Sequence, residues 1–268
     1  MVRNTTALIM KGIYYNNSVA TSQTPSQEHG NAPDGPGTLY LMPVPMSDAH
    51  PSTVLPTTNI ELASRIKYFI VENVRSARRF LKRCDPSIVI DELHFEVLNV
   101  DTAPETVDAM IKPLTGGHDM AIISEAGCPA VADPGALAVA AAQRKGVKVV
   151  PLVGPSSILM ALMGSGFNGQ SFAFRGYLPI KPDERQAALK RMEKRIQSDN
   201  QTQIFIETPY RNNKLIDTLI RTLHGATKLC VASDITGPNE SIITRPLSGW
   251  ATATYNYDKI PTIFLLYK

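Results

Sequence analysis

No two cysteines in this sequence stand close enough to make a redox pair or half of a zinc site. The three present, Cys84, Cys128 and Cys230, are far apart and odd in number. A disulfide framework is therefore not expected, and a reducing cytoplasm is the simplest setting. Long apolar runs are missing too: nothing approaches the roughly 20 residues that span a bilayer. Residues 1–20 contain no continuous apolar stretch, so no export signal is read there and no membrane partner is expected. Charge of one sign is also lacking, since 27 Lys and Arg against 24 Asp and Glu leave a net +3. That balance permits an anionic partner without requiring one. The familiar chemical signatures are absent as well. There is no GxxxxGK[ST] loop, no GxGxxG after the first strand and no HExxH, and GPSS at 154–157 lacks the GxSxG form. Phosphate-loop, dinucleotide, catalytic-metal and nucleophile-elbow chemistry are thereby disfavoured.

What is present begins after a polar stretch. Residues 15–37 are rich in Pro, Gly, Asn and Ser, and residues 1–37 are expected to be a disordered leader. From Thr38 onward strand-like and helix-like runs alternate. Strands are expected at 38–45, 68–71, 94–98, 120–124 and 147–152. Helices are expected near Ile60 and over 75–84, 104–114 and 134–144. Such alternation predicts parallel βαβ units. Asp133 before Pro134 supplies a side-chain acceptor and a pre-set first turn for the last of these helices, and Gly146 ends it. Beyond Gly169 the pattern becomes mixed, with strands near 171–179, 202–207, 228–233, 240–246 and 261–266 and helices over 184–197 and 211–223. The fold class expected is α/β, with two α/β domains. The N-terminal one, 38–168, should hold a mainly parallel sheet, and the C-terminal one, 169–268, a mixed sheet.

Three loops at predicted strand ends are built from small and turn-forming residues: PVPMSD (43–48), SEAGCP (124–129) and VGPSS (153–157). In open α/β sheets ligands bind outside the carboxyl ends of the strands. These loops offer backbone groups and hydroxyls rather than fixed cations, which suits an adenosine-like ligand without phosphates; the alternative is that the prolines and glycines only shape turns. The second informative stretch is RSARRFLKRC (75–84). Arg75, Arg78, Arg79 and Lys82 recur at helical spacing with Arg83 beside them, while Ala77, Phe80, Leu81 and Cys84 form an inward face. A cationic stripe without interleaved acids predicts a phosphate-binding surface, against the plainer reading of a solvated helix face.

GTLYLMPVPMSD, SEAGCPAVADPGALAVAAAQRKGVKVVPLVGPSS and GYLPIKPDERQAAL, in that order, resemble the tetrapyrrole (corrin/porphyrin) methylase superfamily. Within it they are most similar to the branch that methylates a ribose 2′-hydroxyl of a cytidine in small-subunit ribosomal RNA. The resemblance runs from about Gly37 to Tyr267. It implies S-adenosylmethionine as cofactor in a cleft between the two domains, ribosomal RNA or the small ribosomal subunit as partner, and a homodimer. It also implies a cofactor site made of Pro43 and Pro45, of Ser124, Glu125, Ala126, Gly127, Cys128 and Pro129, of Val131 and Asp133, and of Ser156 and Ser157. From the C-terminal part it adds Tyr177, Leu178, Pro179, Thr208, Pro209 and Ile263, with Arg211 joining the basic helix as an RNA contact. Glu72, Glu125 and Glu207 are the carboxylates considered for proton removal, Glu72 first because it ends a strand beside the basic helix; each has the alternative of merely capping a turn. The sequence departs from the branch's Glu-Asp-Thr-Arg at Glu72-Asn73-Val74-Arg75, from Ser-Asp-Ala-Gly at Ser124–Gly127, and from Lys-Gly-Glu at Lys259-Ile260-Pro261. Other functions stay open on the residues: methylation of a tetrapyrrole or other small molecule, a non-catalytic RNA-binding relative, or a nucleotide hydrolase.

Overall fold

The computed structural model describes residues 35–268. The expected leader falls outside them up to residue 34; by Gly37 the chain is tied in, its amide donating to Leu114 O at 2.8 Å. Five strands, β1 (Thr38–Met42), β2 (Tyr68–Val71), β3 (His94–Val97), β4 (Met120–Ile123) and β5 (Lys148–Pro151), form an all-parallel sheet in the order β3-β2-β4-β1-β5. β2 and β4 read YFIV and MAII, apolar throughout, as strands covered on both faces require. Phe69, Val71, Ala121 and Ile123 meet the helices Thr57–Arg65 and Val74–Cys84 on one face. Ile70, Met120 and Ile122 meet the helix Gly135–Arg144 on the other. The helices after adjacent β1 and β4 thus leave to opposite faces, which opens a crevice at the carboxyl ends of these two strands.

The second sheet contains β6 (Phe172–Tyr177), β7 (Thr202–Ile206), β8 (Lys228–Ser233), β9 (Ser241–Pro246) and β10 (Thr262–Tyr267) in the order β6-β7-β10-β8-β9. β6 and β7 run parallel and the remaining pairs antiparallel. The helices Pro182–Asp199 and Asn212–Thr222 cover one face together with Trp250. The other face receives Ala161 and Leu162 of the helix Ser157–Ser165.

One helical expectation needs correction, and one helix was not foreseen. The run 104–114 is broken into a 3-10 turn Pro104–Thr106 and two four-residue helices, Val107–Met110 and Lys112–Thr115. Pro113 has no amide to donate and its ring obstructs a continuing helix. The helix Ser157–Ser165 was not expected at all, because ILMALM carries no polar face to betray a helical period.

Candidate functional site

The three strand-end loops converge on the crevice and are bonded to one another. Val44 and Gly127 exchange two backbone hydrogen bonds, at 2.9 and 3.1 Å, linking the first loop to the second. The Cys128 thiol donates to Pro155 O at 3.3 Å, linking the second to the third. Buried Asn59 donates to Val153 O at 2.8 Å and fixes the third from below. A Cβ on Gly154 would collide with Pro43, so only glycine lets the first and third loops approach this closely. Gly127 has φ +70°, a left-handed conformation that β-branched residues resist. The second loop then closes on Asp133, whose carboxylate accepts from Ala130 N at 2.9 Å and Gly135 N at 2.7 Å. These bonds support Ala130 and Ala132 at φ 65° and 62° and cap the helix Gly135–Arg144.

Above the loops lie two adjoining clefts that share Met46, Ala126 and Pro261. The first, of about 680 Å³, is lined from the parallel sheet by Gly127, Cys128, Val131, Ser156, Ser157 and Ile158, and from the mixed sheet by Ala232, Ile235, Thr262 and Ile263. Its lining contains no charged residue. Ser156 gives no side-chain cap to the helix behind it. The second cleft, of about 1180 Å³, mixes apolar and polar lining; its charged and polar groups are Ser76, Arg79 and Arg83 of the helix Val74–Cys84, Ser47, Asp48, Ser124 and Glu125 of the strand-end loops, and Asp234 and Asn239 of the connection after β8.

The carboxylates separate by position. Glu125 is exposed, lines the second cleft and accepts from the Ser76 hydroxyl at 3.0 Å. Glu72 sits one layer behind, half-buried at the end of β2, where it borders a small void with Asp133 and Ser124. Burial raises its carboxyl above the ordinary range, and the charges of Asp133 and Glu125 add to the rise, against a hydrogen bond from the Glu125 backbone. Burial likewise raises Asp133. Glu207 is held away from both clefts. It accepts from Arg211 Nη2 at 2.6 Å, Arg211 Nε at 3.1 Å and Thr208 N at 2.7 Å, with Arg185 at 3.7 Å.

The other sequence-derived residues divide in the same way. Ser124, Glu125, Ala126, Gly127, Cys128, Val131, Ser156, Ser157, Ile263 and Pro45 line one or both clefts. Pro43 packs on Gly154, Pro129 is buried, and Asp133 organises its loop. Tyr177 is exposed, Leu178 lies in the core of the second sheet, Pro179 O accepts from Arg185, and Pro209 O accepts from Lys259 N; neither these four nor Thr208 line a cleft. Of the cationic set, Arg79 and Arg83 face the second cleft. Arg75 is exposed, Arg78 stacks over Phe95 at 5.6 Å, Lys82 donates to Pro86 O at 2.8 Å, and Arg211 is bound to Glu207. Met46, from the first small-residue loop, and Pro261, from the Lys259-Ile260-Pro261 departure, complete the first cleft together with Ile158, Ala232, Ile235 and Thr262, and these last four were not singled out by sequence. Their signal was present only as positions at strand and helix ends. Asn73, a departure from the branch pattern, keeps a capping function: its Oδ1 accepts from Arg75 N at 2.9 Å and Ser76 N at 3.3 Å.

The family model of the tetrapyrrole (corrin/porphyrin) methylases matches residues 65–250. Ribosomal RNA small subunit methyltransferase I of Vibrio cholerae is 28% identical over 221 residues, 82% of this chain and 73% of the relative. The protein of the same name from Xylella fastidiosa is 29% identical over 222 residues, 82% and 77% of the two chains. The crystal structure of the methyltransferase CobJ is similar in fold, with a TM-score of 0.57 at 16% identity over 88% of this chain and 95% of that one.

Proposed function

This chain belongs to the tetrapyrrole (corrin/porphyrin) methylase family, and from that premise we propose that it methylates a ribose 2′-hydroxyl of small-subunit ribosomal RNA using S-adenosylmethionine. The observation that carries this reading is the pair of adjoining clefts, one uncharged and one lined by arginine and carboxylate, joined at Met46, Ala126 and Pro261. The uncharged cleft suits a nucleoside cofactor that has no phosphates: Gly127 lets a ligand approach the backbone closely, Ser156 and Ser157 offer hydroxyl groups, and Ile235 and Ile263 offer apolar surface. When bound, S-adenosylmethionine supplies a methyl group on an electrophilic sulfonium. The chain's task is then to hold both reactants and to remove one proton. Glu125 is the carboxylate that lines the acceptor side and would receive the hydroxyl proton. Glu72, one layer behind, shares its electrostatic field. The names and extent of the ribosomal RNA methyltransferase relatives support RNA as acceptor.

The same proposal includes two domains, 38–168 and 169–268, with the helix Ser157–Ser165 docked on the second sheet. It also includes a cytoplasmic location, where small subunits are found, and a homodimer. No helix among the described residues is long and apolar enough to cross a membrane. The test is calorimetric titration with S-adenosylmethionine, followed by nucleoside analysis of small-subunit RNA incubated with enzyme and labelled cofactor. Saturable binding and a 2′-O-methylated nucleoside are expected. Gly127→Val should abolish binding, because the left-handed backbone cannot take a branched residue and the Val44 bridge would shift. Full affinity in a folded Gly127→Val variant would remove this loop from the site.

A further inference from the structure

The cationic helix does not present its charges as one uniform stripe. Only Arg79 and Arg83, four residues apart, turn toward the acceptor cleft, and their guanidinium groups are used differently. Arg83 donates to Asp48 O at 2.7 Å and also to Ala49 O, so its donors hold the loop after β1 against the helix. The same loop reaches the second sheet's connection through Ser47 Oγ, which donates to Thr236 O at 2.9 Å. Arg79 is exposed and makes no hydrogen bond or salt bridge among the described residues, although it borders the cleft. Arg78 lies over Phe95 and Lys82 is bonded to Pro86 O, and neither lines the cleft.

We propose that Arg79 is the residue that grips a backbone phosphate of the acceptor nucleotide, a specificity-determining contact that rests on the RNA-methylation reading above. A guanidinium presents a planar fork of donors that matches two phosphate oxygens. The facing walls carry Glu125, Asp234 and Asn239, which suit the hydroxyl and amino groups of a sugar and base. Those carboxylates would repel a macrocycle bearing several acidic side chains. The cleft therefore matches a ligand that is anionic at one end only, as one nucleotide of an RNA strand is. Arg83 acts through the loop it holds and is a positioning residue.

Methyl transfer from labelled S-adenosylmethionine to small subunits lacking the modification, measured over a salt series, tests this. Arg79→Gln should raise the KM for subunits about tenfold, the weight of one charge-assisted contact, with kcat and cofactor affinity near wild type. It should flatten the slope of log KM against log salt by about 0.7. Arg79→Lys should restore the slope, since it restores the charge. Arg83→Gln should raise KM without changing the slope, and Arg83→Lys should recover it. The double variant Arg78→Gln, Lys82→Gln should keep the wild-type KM. An Arg79→Gln enzyme with wild-type KM and slope overturns the assignment and leaves RNA methylation standing. A wild-type enzyme that binds the cofactor yet methylates a tetrapyrrole and no RNA overturns both.

Discussion

Glu72 shows how one residue's place fixes its chemistry. It ends a strand in a part-buried position, with Asp133 and Glu125 as negative neighbours, so its carboxyl holds a proton more tightly than the usual value of 4.5. The folded state then binds the proton better than the unfolded chain does. The stabilisation this gives is complete below the unfolded pKa and is lost as pH rises through the folded one. At neutral pH, well above the unfolded value, Glu72 is therefore a destabilising group. Glu72→Gln, which cannot ionise, should have a higher Tm than wild type at neutral pH. The difference should vanish near roughly pH 3, below the unfolded value, where both side chains are uncharged. Scanning calorimetry at the two pH values checks it, and equal Tm at neutral pH would show that the site does not disfavour the charge. Methyl transfer by the same variant should fall, because the electrostatic field around Glu125 changes.

At the scale of elements, Glu207 ties two connections together rather than facing a ligand. Its side chain is 1% exposed and paired with Arg211 of the turn after β7 and with Arg185 of the long helix. Arg185 is also buried, and its Nε donates to Pro179 O at 2.8 Å, so one carboxylate fixes the exits of both β6 and β7. Glu207 Oε2 has no hydrogen-bond partner and meets Arg185 only as a charge pair at 3.7 Å. Removing one member of such a pair leaves a buried charge uncompensated. Glu207→Ala should therefore cost about 3–5 kcal/mol of stability, measurable by urea denaturation, while the molecules still folded bind S-adenosylmethionine as wild type does. A stable variant that had lost cofactor binding would instead place Glu207 in the site.

For the whole molecule, the helix Ser157–Ser165 is apolar on nearly every side. Ala161 and Leu162 are covered by the second sheet, yet Leu159 and Met163, one turn apart, remain 52% and 82% exposed, and Val153 75%. A second copy of the chain is the partner proposed for this surface. The Leu159→Asp, Met163→Asp variant should sediment as a monomer where wild type sediments as a dimer. An unchanged sedimentation coefficient would move the interface elsewhere.

The sequence alone determined most of the strands, the parallel-then-mixed order and the loops that meet the first cleft, because all of these follow from local pattern. Apolar runs bounded by turn residues specify buried strands, and Asp133-Pro134 starts a helix with groups only two residues apart. The resemblance carried the family by the order of short motifs. Tertiary structure alone decided what each charged residue faces. Five cations on one helix looked equivalent in sequence, but neighbours remote in the chain gave Arg78 to Phe95 and Arg83 to the 48–49 carbonyls, and left Arg79 without a hydrogen-bond partner among the described residues at the cleft that Arg83 also borders. Glu207 and Arg185 are 22 positions apart and meet because β6 and β7 are neighbours in the sheet. The helix Ser157–Ser165 was hidden because an all-apolar segment has no period to reveal it, and its burial comes from a sheet formed later in the chain. Local propensity acts over a few residues, whereas the pairing and desolvation of a charge are set by whatever the fold brings beside it.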